Sequence, residues 1–144
     1  MSQNFDFERP PIPDINAPRV LVVDDSATIR YELAAALEPE GVVVLQAADG
    51  LEGLGMLSQH QVSLVLLDVG MPRLDGLEML ERVKGDPAFA SVPVLMLTAE
   101  AREPEIERAR KLGAKGWMIK PISSRHLVSV VQRFVQLSRT SKTQ

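Results

Sequence analysis

The sequence predicts a doubly wound α/β fold: one five-stranded parallel sheet with five helices packed on its two faces. Three observations lead there. Five short apolar runs alternate with five stretches of helical character between Arg19 and Leu137. The central run, Val62 to Leu67, holds five apolar residues in six without alternation, which suits a strand buried on both faces. Four of the runs end in polar residues, Asp24-Asp25, Asp68, Thr98 and Lys120, at the sheet edge where open α/β folds carry their ligands.

The elements follow in order. Residues 1–18 carry Pro10, Pro11, Pro13 and Pro18 among polar and acidic residues, and read as a flexible or partly extended arm. Phe5, Phe7, Ile12 and Ile15 offer docking points, but a disordered leader is the expectation. The folded domain is expected over residues 19–138. Arg19 to Val23 is the first strand, and Ser26 can cap a helix to about Glu38 with Ile29, Leu33, Ala36 and Leu37 inward. Gly41 ends it, and Val42 to Gln46 makes the second strand. Asp49 caps the second helix, with Glu52 three residues on, and Leu51, Leu54 and Leu57 or Ser58 are expected to face the core.

After the central strand, Asp75 and Glu78 repeat the same capping pair, and Leu77, Leu80 and Val83 line a helix that Gly85-Asp86-Pro87 closes. Pro93 to Leu97 is the fourth strand. Pro104 fits the first turn of a fourth helix, which Gly113 stops in a left-handed conformation. Gly116 to Ile119 is the fifth strand. Leu127, Val130, Val131, Phe134 and Val135 follow the helical template over a last helix from about Ser124 to Leu137. Val128 and Leu137 lie off that stripe and offer themselves to a partner. Residues 139–144 form a polar tail.

Composition narrows the function. The 144 residues carry a net charge of −3, which gives no basic footprint for nucleic acid. There is no cysteine, hence no disulfide framework and no thiolate chemistry. The N-terminus is acidic and proline-bearing rather than basic then apolar, and no run approaches the roughly 18 apolar residues of a membrane span. A cytoplasmic protein with no membrane association is expected.

In a parallel sheet the polar strand ends share one edge, so Asp24, Asp25, Asp68, Thr98 and Lys120 can converge. Three carboxylates within about 5 Å repel by about 3 kcal/mol per pair at an effective dielectric near 20, and such a cluster calls for a cation. Oxygen ligands without His or Cys favour Mg2+. A divalent ion beside a free carboxylate, an ammonium and a hydroxyl is what phosphoryl transfer uses, with Asp68 as the attacking group.

Val22-Val-Asp-Asp-Ser26, Leu67-Asp-Val-Gly-Met-Pro72, Leu97-Thr-Ala-Glu100 and Lys120-Pro121 resemble the receiver domain of two-component response regulators, and most closely its stand-alone, CheY-like chemotaxis type. The resemblance implies a flavodoxin-like strand order 2-1-3-4-5. It also implies that Asp68 accepts a phosphoryl group from a sensor histidine kinase, making the protein a signalling switch that catalyses only its own phosphotransfer and hydrolysis. Asp25, Asp68 and the Gly70 carbonyl would ligate Mg2+, with Asp24 acting largely through water. Thr98, Ala99 and Lys120 would hold the phosphoryl group, Trp117 would be the switch aromatic, and the bond before Pro121 would be cis. The output would be a downstream protein bound at the face of the fourth helix, fifth strand and last helix.

Gly70 stands where many relatives have a side chain that tunes dephosphorylation, and Glu100 occupies the other tuning position. Three other readings fit less well. A pseudo-receiver that only binds needs none of the five polar residues. A haloacid-dehalogenase-type phosphatase needs a second Asp where Gly70 stands. A flavin site would place phosphate against Asp24-Asp25, which would repel it.

Overall fold

The computed structural model describes residues 15–137. The expected arm falls outside the described residues except for its last four, and the polar tail lies wholly outside them. Five parallel strands form one sheet in the order β2-β1-β3-β4-β5, as the resemblance implied. They are β1 (Arg19–Val23), β2 (Val43–Ala47), β3 (Leu64–Asp68), β4 (Val94–Thr98) and β5 (Gly116–Ile119). The helices are α1 (Ala27–Leu37), α2 (Gly50–Gln59), α3 (Gly76–Gly85), α4 (Glu103–Leu112) and α5 (Ser124–Val131), with a 3₁₀ turn at Glu38–Glu40 after α1.

Period two along the strands sorts the core into two halves. Leu21, Val23, Val65, Leu67, Val94 and Met96 point to the face covered by Leu57 of α2, Leu77 and Leu80 of α3 and Ala109 of α4. Val20, Val22, Leu64, Leu66, Leu95 and Leu97 point to the other face, under Leu33 and Leu37 of α1 and Leu127 and Val131 of α5. β3 is buried along its whole length, which is why its sequence shows no alternation.

Local signals bound several of the helices as expected. Ser26 Oγ accepts from Ile29 N at 3.2 Å, and Asp75 and Glu78 form a complete capping box. Gly113 ends α4 at φ 107°.

Three expectations need correction. Leu51 of α2 is exposed at 44%, and Ser58 faces solvent as well. Two glycines share the inner face of α2 with Leu54 and Leu57: a Cβ on Gly50 would lie 2.6 Å from the Leu74 carbonyl, and one on Gly53 would lie 2.8 Å from Met79 Cε. α2 therefore approaches its neighbours closely at Gly50 and Gly53, while Leu54 and Leu57 face the core as expected.

β3 starts at Leu64, with Val62 half-buried ahead of it. Finally, α5 ends at Val131 in tighter bonds, Arg133 N to Val130 O and Phe134 N to Val131 O. Phe134 and Val135 still pack on the core as the template expected, but Leu137 is buried there too instead of standing at a surface. Val128 also packs half-buried against that core.

Candidate functional site: an acidic pocket at the end of the central strand

Strand register builds the pocket. Val23 of β1 pairs Leu67 of β3, so Asp24 and Asp25 leave β1 beside Asp68. Asp68 pairs Leu97 of β4, and Thr98 pairs Ile119 of β5, which places Lys120 at the same edge. Lys120 N donates to the Thr98 carbonyl at 2.8 Å and extends that ladder by one bond. The Lys120-Pro121 peptide is cis.

Asp24, Asp25 and Asp68 each offer an oxygen within 4.8 Å of the other two. Asp24 and Asp68 are buried, and Asp25 is exposed. The Lys120 ammonium reaches between the buried pair, 2.6 Å from Asp24 Oδ2 and 3.0 Å from Asp68 Oδ1. Asp24 Oδ1 accepts from Ser26 N at 2.9 Å, so the capping residue of α1 also orients this carboxylate.

Burial raises the Asp68 carboxyl above the ordinary carboxylate range; the Lys120 hydrogen bond opposes it and the Asp24 charge adds to it. Burial pulls the Lys120 ammonium down, but the hydrogen bonds and charges of Asp24 and Asp68 outweigh it and leave it above its ordinary value. Three carboxylates against one ammonium leave two negative charges in the pocket. An all-oxygen donor set with that imbalance fits a hard divalent cation such as Mg2+.

The pocket opens into a cavity of about 410 Å³ lined by Asp68, Gly70, Thr98, Ala99 and Lys120. Gly70 is exposed, with open space where a Cβ would stand. Thr98 is buried, and its hydroxyl is engaged by Glu100: Oγ1 donates to the Glu100 carbonyl at 2.7 Å and accepts from Glu100 N at 3.2 Å. Trp117 is not in the cavity. It is half-buried on β5 against the α2–α3–α4 side of the core, and its indole N–H is buried without a hydrogen-bond partner among the described residues.

Residues 20–132 match the response regulator receiver domain. The chain belongs to this family. Receiver domains are signalling switches of two-component systems; they bind Mg2+ at an acidic pocket and interact with histidine kinases and downstream targets. Protein PilH of Pseudomonas aeruginosa is 32% identical over 113 residues, covering 78% of this chain and 93% of PilH. The transcriptional regulatory protein PdtaR of Mycobacterium tuberculosis is 35% identical over 122 residues, 84% of this chain but 58% of PdtaR. Among solved structures, the chemotaxis protein CheY4 of Vibrio cholerae is similar at 33% identity and a TM-score of 0.78, over 83% of this chain and 99% of that one. Among the described residues of this receiver domain, no helix is long and apolar enough to cross a membrane.

Sequence reasoning named Lys120 but missed two further cations near this pocket. Arg30 Nη1 donates to the Asp24 carbonyl at 2.7 Å, and Arg102 stands at the cavity mouth paired with Glu100. A lone arginine on a helix or loop carries no periodic signal that would have singled it out.

Proposed function

We propose that this receiver domain accepts a phosphoryl group from a histidine kinase onto Asp68 and passes the event to a protein partner. One observation carries the reading: Asp68, at the end of a strand buried along its whole length, shares its pocket with two further carboxylates and a lysine that bridges it to Asp24. Asp24, Asp25, Asp68 and the Gly70 carbonyl would hold Mg2+, Asp24 largely through water. When bound, the ion neutralises charge on the phosphoryl oxygens.

The chain's own residues do the rest. Lys120 occupies Asp68 Oδ1 and leaves Oδ2 without a donor among the described residues. An Asp68 oxygen attacks phosphorus as the P–N bond of the phosphohistidine breaks, and the electron pair leaves with the imidazole. Lys120 then has a phosphoryl oxygen to pair with, and Thr98 and the Ala99 backbone lie on the same cavity wall to receive others. With Gly70 at the mouth, no side chain from that position screens the acyl phosphate from water. The output face would be α4, β5 and α5, with Trp117 coupling it to Thr98.

Incubation with acetyl phosphate and Mg2+ tests this by intact mass. Wild type should gain one acid-labile phosphate and Asp68→Asn none. Equal labelling of both proteins removes Asp68 from its role.

A further inference from the structure

The loop 69–75 leaves Asp68, passes Gly70 and returns to α3. Gly76 N donates to the Val69 carbonyl at 2.8 Å and closes its base, so tightly that a Cβ on Gly76 would collide with the Asp68 carbonyl. Two further ties run to α2, an element that gives no side chain to the acidic pocket. Leu74 O accepts from Gly50 N at 3.1 Å. Arg73 Nε donates to Asp49 Oδ2 at 2.7 Å, and its Nη2 pairs with the same oxygen while lying 3.9 Å from Glu52 Oε2.

The Arg73–Asp49 tie is more than a surface pair. Asp49 is 5% exposed, and its other oxygen caps α2 by accepting from Glu52 N at 2.9 Å. Arg73 has φ 67°, a left-handed conformation that long side chains rarely adopt. Among the described residues it is the only non-glycine to do so. Such a conformation persists where the surroundings over-determine it, and here a charge-assisted contact to a buried carboxylate does so. Between the closed base at Val69 and the anchor at Arg73 lie only Gly70, Met71 and Pro72, and Gly70 has no side chain with which to hold itself in place.

We propose that Arg73 is a positioning residue: by pairing with Asp49 it fixes the loop that carries the Gly70 carbonyl, and so sets the affinity of the acidic pocket for a divalent cation. This rests on reading the pocket as a Mg2+-dependent phosphoacceptor site. Asp68 itself is placed by the β1–β3–β4 register and needs no help from Arg73. Loss of Arg73 therefore weakens cation binding and spares the transfer step at saturating cation.

The test uses the full chain and Arg73→Gly, because glycine tolerates the left-handed backbone and the variant keeps its fold. Mg2+ affinity is measured by titration calorimetry, and acetyl phosphate labelling is followed across Mg2+ concentrations. Arg73→Gly should raise both the Mg2+ dissociation constant and the half-saturating Mg2+ about tenfold, the lower end of what outer partners of metal ligands contribute. Its limiting rate should stay within about twofold of wild type. Arg73→Lys, which keeps the charge but not the two-nitrogen contact, should recover part of the affinity.

Asp49→Asn keeps an α2 cap and should weaken Mg2+ in the same direction, with no further loss in the double variant. An Arg73→Gly protein that binds Mg2+ as wild type does would overturn the proposal, even if it melts earlier. Should wild type bind Mg2+ without being labelled at Asp68, the phosphoacceptor reading fails while the calorimetry still decides the role of Arg73.

Discussion

Thr98 and Glu100 hold one another by two hydrogen bonds, hydroxyl to carbonyl at 2.7 Å and amide to hydroxyl at 3.2 Å. The hydroxyl at the end of β4 is thus engaged within its own loop and not on Asp68, although both line one cavity. For Thr98 to bond a phosphoryl oxygen it must release Glu100 and turn inward. Such an exchange of partners would be a two-state event, and a few kcal/mol of differential contact would be enough to invert its populations.

Trp117 is expected to report the exchange. It is the sole tryptophan, and its buried indole N–H, without a partner among the described residues, is a group that gains about 1–3 kcal/mol from finding an acceptor or water. Beryllofluoride with Mg2+ should change Trp117 fluorescence or its access to quencher. Thr98→Ala should weaken that response while Asp68 remains labelled by acetyl phosphate. A tryptophan signal indifferent to beryllofluoride in phosphorylatable protein would reduce Trp117 to ordinary packing.

Mg2+ should stabilise the fold, because it relieves repulsion that Lys120 only partly offsets. Binding to the native state alone contributes roughly 1.4 kcal/mol at ten times the dissociation constant. Melting temperature should rise with Mg2+ in wild type and lose most of that rise in Asp25→Asn. Equal shifts in the two proteins would contradict a metal site at these carboxylates.

Asp49 gives the fold a pH dependence of known sign. Its carboxyl is held below the ordinary range by the Glu52 N–H first and, against the cost of burial, by the hydrogen bond and charge of Arg73. A depressed folded value means stability that is present above the unfolded value of about 4 and lost as pH falls through the folded one. Asp49→Asn should therefore be less stable than wild type near neutrality. Denaturant midpoints should show the two proteins converging below about pH 4; a gap that persists or widens in acid would show that the Asp49 charge does not govern it.

The glycines of α2 should respond in opposite directions. Gly55→Ala fills open space in a helix interior and should stabilise by up to about 1 kcal/mol. Gly50→Ala puts a methyl against the Leu74 backbone carbonyl and should destabilise by about 1–3 kcal/mol. Thermal melts of the two variants check both signs, and a stable Gly50→Ala would show that the α2–loop approach can relax.

Much of the fold and the site was already legible in the chain. Unalternated runs such as Leu64 to Leu67 mark strands covered on both faces, since a strand open to water on one side would have to alternate. The convergence of Asp24, Asp25, Asp68, Thr98 and Lys120 was legible because a parallel sheet brings the ends of its strands to one edge whatever their separation in sequence. Caps at Ser26, Asp49 and Asp75 were legible because they act within one helical turn.

Only the tertiary structure decided the rest. Hydrophobic periodicity has no term for a close approach made by the absence of a side chain, so Gly50 and Gly53 went unread and Leu51 was turned inward, although Leu54 and Leu57 do face the core. Helical phase places a residue only while the helix lasts, and α5 stops before Leu137. The pairing of Arg73 with Asp49, the turn of Thr98 toward Glu100, and the reach of Lys120 to both buried carboxylates depend on angstrom distances. Polar contacts of that kind are made or lost within about 1 Å, whereas the patterns that sort strands from helices constrain only which face of an element is dry.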